Sequence, residues 1–497
     1  MEILYKSTRG GEQGLKASEA VLKGIASDGG LFVPETMPQL TESLDELAQM
    51  DYRELAYTVM SKFLTDYSEE ELRHCINSAY DSKFDTQKIA PLVKYGDVWY
   101  LELFHGKTIA FKDMALSILP HLMTTAAKKN ALKEEIVILT ATSGDTGKAA
   151  MAGFADVPGT HIIVFYPKNG VSPVQERQMV TQKGDNTHVV GILGNFDDAQ
   201  TAVKKMFGDA QLIRDIAGKG YVFSSANSIN IGRLVPQVVY YVYSYMQLLK
   251  AGEIRSGEKI NIVVPTGNFG NILAAYYAKL IGLPVNRLIC ASNMNKVLYD
   301  FFSTGVYDKR REFYITTSPS MDILVSSNLE RLIFRITDDD AGQTAEWMKE
   351  LSVGGKYEIS EEMRQRLSDF CPEFCTEEES AAAINEVYKS TGYVIDPHTS
   401  VGAGAYLKYR KETGDGTRTV IASTASPYKF ARSVLHAIDP EAYDAHDDMQ
   451  QFEDLRAVSG VDLPNAIQEL MTAEVLHDTV VETEGMEAAV RKILGAV

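Results

Sequence analysis

From residue 96 onward, short apolar runs alternate with longer segments whose apolar residues recur at helical spacing. The runs predicted as strands are VWYLELF (98–104), EIVILTA (135–141), THIIVFYP (160–167), THVVGILG (187–194), YVFSSA (221–226), KINIVVPTG (259–267) and TRTVIASTAS (417–426). Strands that are apolar along their whole length are typical of parallel sheets with both faces covered. The pattern therefore predicts an α/β fold in which parallel sheet carries helices on both faces.

The pattern of apolar and polar residues divides the chain into three parts. Residues 1–95 predict a mainly helical N-terminal domain, and residues 96–430 predict the α/β core. Within that core, residues 305–390 are more polar and irregular, which indicates an insertion. Residues 431–497 predict a C-terminal helical segment that packs on the core. A length of 497 residues agrees with two or three domains.

The composition is that of a globular protein, with 45% hydrophobic and 23% charged residues. The 49 basic and 67 acidic residues give a net charge of −18. This balance argues against nucleic acid as a partner, because such binding depends on clustered lysine and arginine. It leaves small-molecule substrates open, because a basic pocket can lie within an acidic protein.

The cysteines and the termini favour a cytoplasmic protein without a metal. Cys75, Cys290, Cys371 and Cys375 lack the spacing and the flanking histidines of a zinc site, so we expect reduced thiols. The N-terminus MEILYKSTRGGEQG has no apolar signal segment. No run approaches the ~20 apolar residues that a membrane span needs, so no membrane partner is expected.

Lys112 lies in GKTIAFKDMALSILP (106–120), just before an apolar run with helical periodicity. A surface lysine at a helix start is the ordinary interpretation. A cation is nevertheless disfavoured at the positive end of a helix dipole, and apolar neighbours would lower the pKa of its amine. A lowered pKa is what a Schiff-base lysine requires.

The first glycine-rich turn, TATSGDTGKAA (140–150), joins a strand to a helix. It departs from the P-loop at two required positions, because Thr142 and Ala149 replace Gly and Ser or Thr. Small residues, exposed N–H groups and hydroxyls suit it to a carboxylate. A tight strand–helix connection without a ligand is the alternative.

The second such turn, PTGNFGN (265–271), also follows an apolar strand. We expect Gly267 and Gly270 to permit close backbone approach and positive φ, and the N–H groups of 267–271 to face a phosphate. No GxGxxG is present, so a dinucleotide is not supported. A third turn, STASPYKF (423–430), places Thr424 at the end of a strand, where its hydroxyl could face a site.

Together with further short strings along the chain, these three turns and the lysine segment resemble the motifs of a known enzyme family. The strings are STRGG, SDGGLFVPE, FHGKTIAFKDMAL, ATSGDTGKAA, NSINIGRL, PTGNFGN, SPSMDI, DPHTSVG and STASPYKF, running in order from residue 7 to residue 430. They resemble the fold-type II pyridoxal-phosphate enzymes and, more narrowly, the longer microbial and fungal type of the threonine synthase family. The resemblance implies a two-lobed core with two open, mostly parallel sheets.

The resemblance also implies a cofactor site for pyridoxal 5′-phosphate. Lys112 would form the Schiff base, and Thr424 would hydrogen-bond the pyridine nitrogen. A neutral hydroxyl there does not hold that nitrogen protonated, which favours elimination over transamination. The cofactor phosphate would lie on the turn formed by Gly267, Asn268, Phe269, Gly270 and Asn271.

The substrate contacts implied by the resemblance lie on two further segments. The α-carboxylate would bind Thr142, Ser143, Asp145 and Thr146, although the negative charge of Asp145 is less suited to an anion than the Asn of many relatives. The substrate phosphate would bind Asn227, Ser228 and Arg233. Without the resemblance, this last segment would be interpreted as a helix cap with a solvated arginine.

The implied reaction is that of a lyase of threonine biosynthesis. O-phospho-L-homoserine and water would give L-threonine and phosphate, with Lys112 as the general acid–base. A monomer or a homodimer is expected. The alternatives are another fold-type II enzyme, such as a serine/threonine dehydratase or a cysteine synthase, and a non-catalytic relative that binds an anion.

Overall fold

The computed structural model of the protein describes residues 2–142, 144–171 and 173–496. Its strands, numbered in chain order, are β1 (Tyr5–Ser7), β2 (Phe32–Pro34), β3 (Leu92–Tyr95), β4 (Val98–Glu102), β5 (Glu135–Ala141), β6 (Thr160–Pro167), β7 (Thr187–Leu193), β8 (Tyr221–Ser224), β9 (Ile260–Pro265), β10 (Val285–Ser292), β11 (Val306–Asp308), β12 (Lys356–Glu358), β13 (Phe370–Phe374), β14 (Thr419–Ser423) and β15 (Val480–Glu482).

The helices, numbered in the same way, are α1 (Ala17–Lys23), α2 (Leu44–Leu47), α3 (Tyr52–Phe63), α4 (Glu69–Ala79), α5 (Asp113–Leu116), α6 (Leu119–Lys129), α7 (Asp145–Phe154), α8 (Pro173–Val180), α9 (Phe196–Gly208), α10 (Ala210–Ala217), α11 (Ile231–Lys250), α12 (Gly270–Leu280), α13 (Val297–Thr304), α14 (Leu329–Ile336), α15 (Ala341–Val353), α16 (Glu361–Gln365), α17 (Glu377–Thr391), α18 (Pro397–Thr413), α19 (Ala431–Ile438), α20 (Pro440–Tyr443), α21 (Asp448–Ser459), α22 (Asn465–Thr472) and α23 (Met486–Ile493). Short 3₁₀ turns span Pro319–Met321, Pro427–Phe430 and Thr483–Gly485.

Two open sheets form the core. The larger sheet has the strand order β13-β10-β9-β14-β4-β3, and all of its neighbouring strands are parallel except the β3–β4 hairpin. The smaller sheet has the order β15-β7-β6-β5-β8 and is parallel throughout. Both faces of the larger sheet are covered, because Ile262 and Val264 enter one apolar cluster and Val263 enters another. The predicted fold class is confirmed.

Four strands of the two core sheets, β3, β10, β13 and β15, are missing from the predicted pattern. β10 and β13 extend the larger sheet, and β13 lies inside the stretch 305–390 that was predicted as an insertion. β13 contains Pro372, which argues against a central strand but is tolerated here because β13 lies at the sheet edge. β15 adds an edge to the smaller sheet from the C-terminal segment, which was predicted to be helical throughout.

The N-terminal part combines the antiparallel β1–β2 pair with helices α1 to α4. Asp51 caps α3 by accepting the N–H groups of Arg53 and Glu54, each at 2.9 Å. The buried face of α3 joins the same apolar cluster as α11. β3 pairs with β4 in the larger sheet, so a boundary at residue 95 lies within a hairpin. The division of the chain into domains stays a prediction.

The carboxyl ends of the strands converge on the predicted site. The lysine segment follows β4, the TSGDTG turn follows β5, and the GNFGN turn follows β9. Open parallel sheets bind ligands at these ends, outside the strands. Within the described residues, no helix is long and apolar enough to cross a membrane.

Candidate active site

Lys112 is half-buried, and its amine donates a hydrogen bond to Ser320 Oγ at 3.1 Å. Burial lowers the pKa of this amine to about 8; the charge of Asp145 opposes the shift, whereas Lys429 and Arg233 add to it. The predicted lowering is therefore present. Its main cause is burial, because the helix that follows, α5, has only four residues and Lys112 is its N-cap.

The backbone around Lys112 is held by the end of β14. Phe111 N–H donates to Thr424 O at 2.8 Å, and Ser426 N–H donates to Ile109 O at 3.0 Å. Ile109 has a φ of 51°, which is rare for a β-branched residue and costs about 1–3 kcal/mol. Such strain persists only where the surroundings fix the backbone, and here they fix the segment that carries the lysine.

The GNFGN turn leads into α12 and presents unpaired donors. Among the described residues, the N–H groups of 267–271 have no acceptor. The positive φ lies at Phe269, with a value of 63°, and not at Gly267 or Gly270 as expected. Phe269 is fully buried and packs against Phe302 and Phe370, which stabilise this conformation.

Asn271 gives this turn a further donor. Its Oδ1 accepts hydrogen bonds from the hydroxyls of Tyr240 at 2.6 Å and Tyr241 at 2.5 Å. These bonds assign Nδ2 as the free amide group, and Nδ2 is buried without a partner among the described residues. Buried donors are seldom left unsatisfied. Unpaired N–H groups at a helix start, together with this amide, fit the phosphate of pyridoxal 5′-phosphate.

Thr424 lies buried at the end of β14, as predicted. Its backbone N–H donates to Thr399 Oγ1 at 3.3 Å, and its carbonyl holds the lysine segment. Among the described residues, its hydroxyl takes part in no hydrogen bond. The hydroxyl is thus free to serve a ring nitrogen, and that role stays a prediction.

Hydrogen bonds to the Thr142 side chain fix the backbone of the TSGDTG turn. The hydroxyl oxygen of this buried residue accepts the N–H groups of Gly144 at 3.0 Å and Gly147 at 2.9 Å. Gly144 has a φ of 135° and packs so closely on Gln175 that a Cβ would lie 2.7 Å from its amide. Thr146 is half-buried in the first turn of α7, and the predicted contact Ser143 lies outside the described residues.

Asp145 is paired with cations. Its Oδ1 lies 3.3 Å from Lys429 Nζ, and its Oδ2 accepts a hydrogen bond from Ser320 Oγ at 3.5 Å. Burial opposes ionisation, but Lys429 and Lys112 hold the pKa of this carboxyl well below its usual range. Asp145 is therefore an anion whose charge is largely neutralised by neighbours. A direct contact with a substrate carboxylate stays a prediction.

The segment 226–233 contributes one buried cation, Arg233, whose charge acts on Lys112. Arg233, in the first turn of α11, donates to Ala226 O at 3.1 Å. Its Nε is buried without a partner among the described residues, and burial lowers the pKa of the guanidinium to about 10. Asn227 is exposed and Ser228 is half-buried in the preceding turn. An arginine buried without a carboxylate partner is suited to an incoming anion.

Four residues of the site were assigned no chemistry from the sequence. Ser320, Asp396, His398 and Lys429 surround Lys112 and Asp145. They lie in the strings SPSMDI, DPHTSVG and SPYKF, which carried the resemblance, so the strings themselves were the available signal. Within the described ranges, no cluster of His, Cys, Asp and Glu could hold a metal, and all four cysteines are free thiols.

Three family models match successive parts of the chain. They are described as threonine synthase N terminus for residues 4–80, pyridoxal-phosphate dependent enzyme for residues 85–425, and threonine synthase, C-terminal, for residues 399–491. The second of these alone covers more than half of the chain.

Individual proteins that carry the threonine synthase name are also similar to this chain in sequence and in structure. A threonine synthase-like 1 protein of Pongo abelii is 40% identical over 444 residues, which cover 86% of this chain but only 59% of that protein. A threonine synthase of Schizosaccharomyces pombe is 38% identical over 470 residues, which cover 88% and 90% of the two chains. A crystal structure of PLP-bound threonine synthase from Brucella melitensis is 36% identical, has a TM-score of 0.86 and covers 99% of both chains.

Proposed function

We infer, from the premise that this chain belongs to the threonine synthase family of pyridoxal-phosphate-dependent enzymes, that it converts O-phospho-L-homoserine and water to L-threonine and phosphate. The reaction is a lyase reaction in which phosphate leaves, and it would complete threonine biosynthesis. Its substrate is a small molecule that carries two anions, a carboxylate and a phosphate. The site must therefore bind a phosphate in addition to the phosphate of the cofactor.

The observation that carries this proposal is Arg233. Its guanidinium is buried, its Nε has no partner among the described residues, and its charge acts on Lys112. It belongs to a different segment from the GNFGN turn, which holds the cofactor phosphate. A planar guanidinium binds phosphate with two parallel hydrogen bonds. A dehydratase or a cysteine synthase has no need of this second anion site.

The residues that would hold the cofactor follow three neighbouring strands of the larger sheet, β4, β9 and β14. Lys112 would bond to it, the N–H groups of 267–271 and Asn271 Nδ2 would bind its phosphate, and Thr424 would donate to its pyridine nitrogen. When bound, pyridoxal 5′-phosphate supplies an electron sink for the carbanion formed beside the substrate amine. Because a threonine hydroxyl is neutral, it does not hold a proton on the ring nitrogen as a carboxylate would.

Lys112 performs the proton transfers in this proposal. Once the substrate amine has released it, Lys112 would remove the Cα proton and then a Cβ proton, and phosphate would depart from Cγ with the electron pair of the Cγ–O bond. The amine would return one proton to Cγ and, after water adds at Cβ, one proton to Cα. A single amine that both takes and returns protons works best when its pKa lies near the working pH. The pKa of about 8 that burial gives Lys112 meets this requirement.

The substrate carboxylate is assigned to the turn Thr142–Thr146. Asp145 and Thr146 lie in the first turn of α7, where N–H groups have no partner within the helix, whereas the N–H groups of Gly144 and Gly147 are donated to Thr142. Asp145 stays in the proposed set of contacts, although its charge repels a carboxylate. With Lys429 it forms a neutral pair beside the lysine. Thr146 and Ser143 complete the proposed set of contacts.

Further parts of the proposal concern the whole protein. It acts in the cytoplasm as a monomer or a homodimer, with the N-terminal domain 1–95 and the C-terminal segment 431–497 packed on the catalytic core. These statements rest on the resemblance and on the composition, including the four free thiols.

The deciding experiment follows two products at once. The purified protein, loaded with pyridoxal 5′-phosphate, is incubated with O-phospho-L-homoserine while threonine and phosphate are both quantified. We expect equal amounts of the two. L-serine and L-threonine serve as comparison substrates, because a dehydratase would convert them to 2-oxoacids. Oxoacid formation without threonine formation would favour the dehydratase, and no turnover at all would favour a non-catalytic relative.

The Lys112→Ala variant tests the assigned lysine. We expect it to form no threonine above background while its circular dichroism matches that of the parent protein, because, among the described residues, the side chain hydrogen-bonds only Ser320. Loss of the cofactor absorbance band in the same variant would identify Lys112 as the attachment point. Near-parental threonine formation would refute the assignment.

A further inference from the structure

Ser320 contacts the reactive amine of Lys112. It lies in the 3₁₀ turn Pro319–Met321, 208 residues after Lys112, in a stretch to which the sequence assigned no chemistry. Its Oγ accepts a hydrogen bond from the Lys112 amine at 3.1 Å and lies 3.5 Å from Asp145 Oδ2. The hydroxyl proton therefore faces the carboxylate, which leaves an oxygen lone pair for the lysine.

The segment 316–328, termed the Ser320 loop, is anchored before and after the turn. Asp322 accepts hydrogen bonds from Asn293 Nδ2 at 2.8 Å, Asn295 Nδ2 at 3.0 Å and Thr316 Oγ1 at 2.7 Å. The two asparagines follow the end of β10. Ser326 Oγ donates to Gly267 O at 2.7 Å. The loop is thereby fixed to the larger sheet at one end and to the GNFGN turn at the other.

A buried pair fixes the backbone of Ser320 itself. His398 Nε2 accepts the N–H of Ser320 at 3.1 Å, and His398 Nδ1 lies 2.8 Å from Asp396 Oδ2. Because Nε2 is the acceptor, the proton of the neutral ring lies on Nδ1 and is donated to Asp396. Asp396 and His398 are both buried, and Asp396 also caps α18. Asp396, fixed at the start of α18, thus orients the His398 imidazole, and the imidazole in turn orients the backbone of Ser320.

We propose that Ser320 is a catalytic residue that holds the Lys112 amine whenever this amine is not joined to the cofactor, and that Asp396 and His398 are positioning residues for Ser320. The proposal rests on the attachment of the cofactor to Lys112, which is part of the proposed function. A free lysine side chain has four rotatable bonds and samples many rotamers. A fixed acceptor confines the amine, so that it stays directed at the carbons between which it moves protons.

The first test measures how the cofactor-free protein captures pyridoxal 5′-phosphate. The rate is followed by the growth of the cofactor absorbance band at a series of pH values. In Ser320→Ala we expect the plateau rate at high pH to fall ~10-fold or more, because a freed amine is misplaced. We also expect the pH midpoint of capture to move down, because the ammonium form loses an acceptor.

The matched control lies in the same loop. Thr317→Ala removes an exposed hydroxyl that, in the described part of the chain, takes part in no hydrogen bond. We expect this variant to keep the parental plateau and midpoint. If Ser320→Ala kept both as well, while folding like the parent by circular dichroism, the proposal would be overturned.

The second test separates the two nitrogens of His398. In His398→Gln the amide oxygen reaches the position of Nε2 and can accept the Ser320 N–H, whereas the side chain of His398→Asn is one carbon shorter. We expect capture by the glutamine variant within about threefold of the parent, and capture by the asparagine variant as slow as in Ser320→Ala. Equal rates in the two variants would remove His398 from the proposal.

The failure of this inference differs from the failure of the proposed function. Capture of pyridoxal 5′-phosphate involves no amino-acid substrate. Slow capture in Ser320→Ala by a protein that makes no threonine would support the role of Ser320 and refute the proposed substrate. Normal capture in a protein that makes threonine would do the reverse.

Discussion

Arg233 is the clearest example of a side chain whose surroundings are complete only with a ligand. It is buried, donates to one carbonyl, and has no carboxylate beside it among the described residues. A buried cation without a partner is costly, so a protein keeps one where an anion will neutralise it. The residue type and its place after a strand were available from the sequence. Its burial and its unpaired Nε were not.

Replacing Arg233 tests the second anion site. We expect Arg233→Ala to raise KM for O-phospho-L-homoserine and to lower kcat, at a cost of about 2–4 kcal/mol in kcat/KM, because a charge-assisted contact is lost. The cofactor spectrum should be unchanged. Arg233→Lys is the control, and it should retain part of the activity because it keeps the charge without the planar fork. Parental kcat/KM in the alanine variant would favour a dehydratase-like reaction.

The single residues that the sequence identified share one property, and those it missed share another. Lys112 lies directly before a helix and Thr424 lies directly after a strand, and local pattern is enough to place residues at such boundaries. Ser320 and His398 act through a hydrogen bond that joins residues 78 apart in the chain. Local pattern does not show which distant segments meet. Their strings could therefore be recognised, but no role could be derived for them.

At the scale of elements, the GNFGN turn and the Ser320 loop pack directly against each other. A Cβ on Gly267 would lie 2.6 Å from Ser320 O and 3.2 Å from Met321 Cα. The glycine at 267 is therefore required by the neighbouring loop, whereas we expected it to be required by the cofactor phosphate. Gly270 is less confined, because a Cβ there would lie 3.3 Å from Asn328 Nδ2. Neither glycine has positive φ.

The two glycines predict opposite outcomes for the same substitution. Gly267→Ala should push the Ser320 loop away at a cost of about 1–3 kcal/mol, and it should weaken the binding of pyridoxal 5′-phosphate. Gly270→Ala should change binding by less than about threefold, because a Cβ 3.3 Å from Asn328 Nδ2 requires a shift of only a few tenths of an ångström and alanine favours the helix. Fluorescence titration of the cofactor-free variants measures both affinities. Equal affinities would show that the turn and the loop are not coupled.

The elements that the sequence placed well are the long, wholly apolar ones. β5 and β6 were predicted with the residue bounds that the structure gives. β13 was not predicted because Pro372 argues against a strand. β15 was not predicted because three residues are too few to show a periodicity. Both are edge strands, which need only one neighbour and so carry a weaker apolar signal.

At the scale of the whole molecule, His105 joins the N-terminal part to the larger sheet. Its Nδ1 lies 2.6 Å from Asp85 Oδ1, and its Nε2 lies 3.0 Å from Glu102 Oε2 at the end of β4. Burial opposes the charged form, but the two carboxylates outweigh it and raise the pKa of His105 from its ordinary 6.5 to about 9. The protonated imidazole thus bridges two carboxylates close to the lysine segment.

This bridge makes part of the stability depend on pH. Because the pKa of His105 is raised in the folded protein, its contribution is complete below about pH 6.5 and is lost as the pH rises through about 9. The unfolding midpoint of His105→Gln should therefore lie furthest below that of the parent at acidic pH, and the two should converge above pH 9. His74→Gln, at an exposed histidine, is the control. A gap independent of pH would contradict the assigned charge.

The strand order also has a consequence for synthesis of the protein on the ribosome. β5 to β8 are complete once residue 224 has been made, so the inner strands of the smaller sheet can pair early. The larger sheet must wait, because β14 fits between β4 and β9 and ends at residue 423. Until then β4 and β9 expose apolar edges, which favour aggregation. Thr424 O, which accepts the N–H of Phe111, emerges directly after β14. A nascent chain stalled before residue 424 therefore has its reactive lysine but no formed pocket, and it should need chaperones and fail to retain vitamin B6.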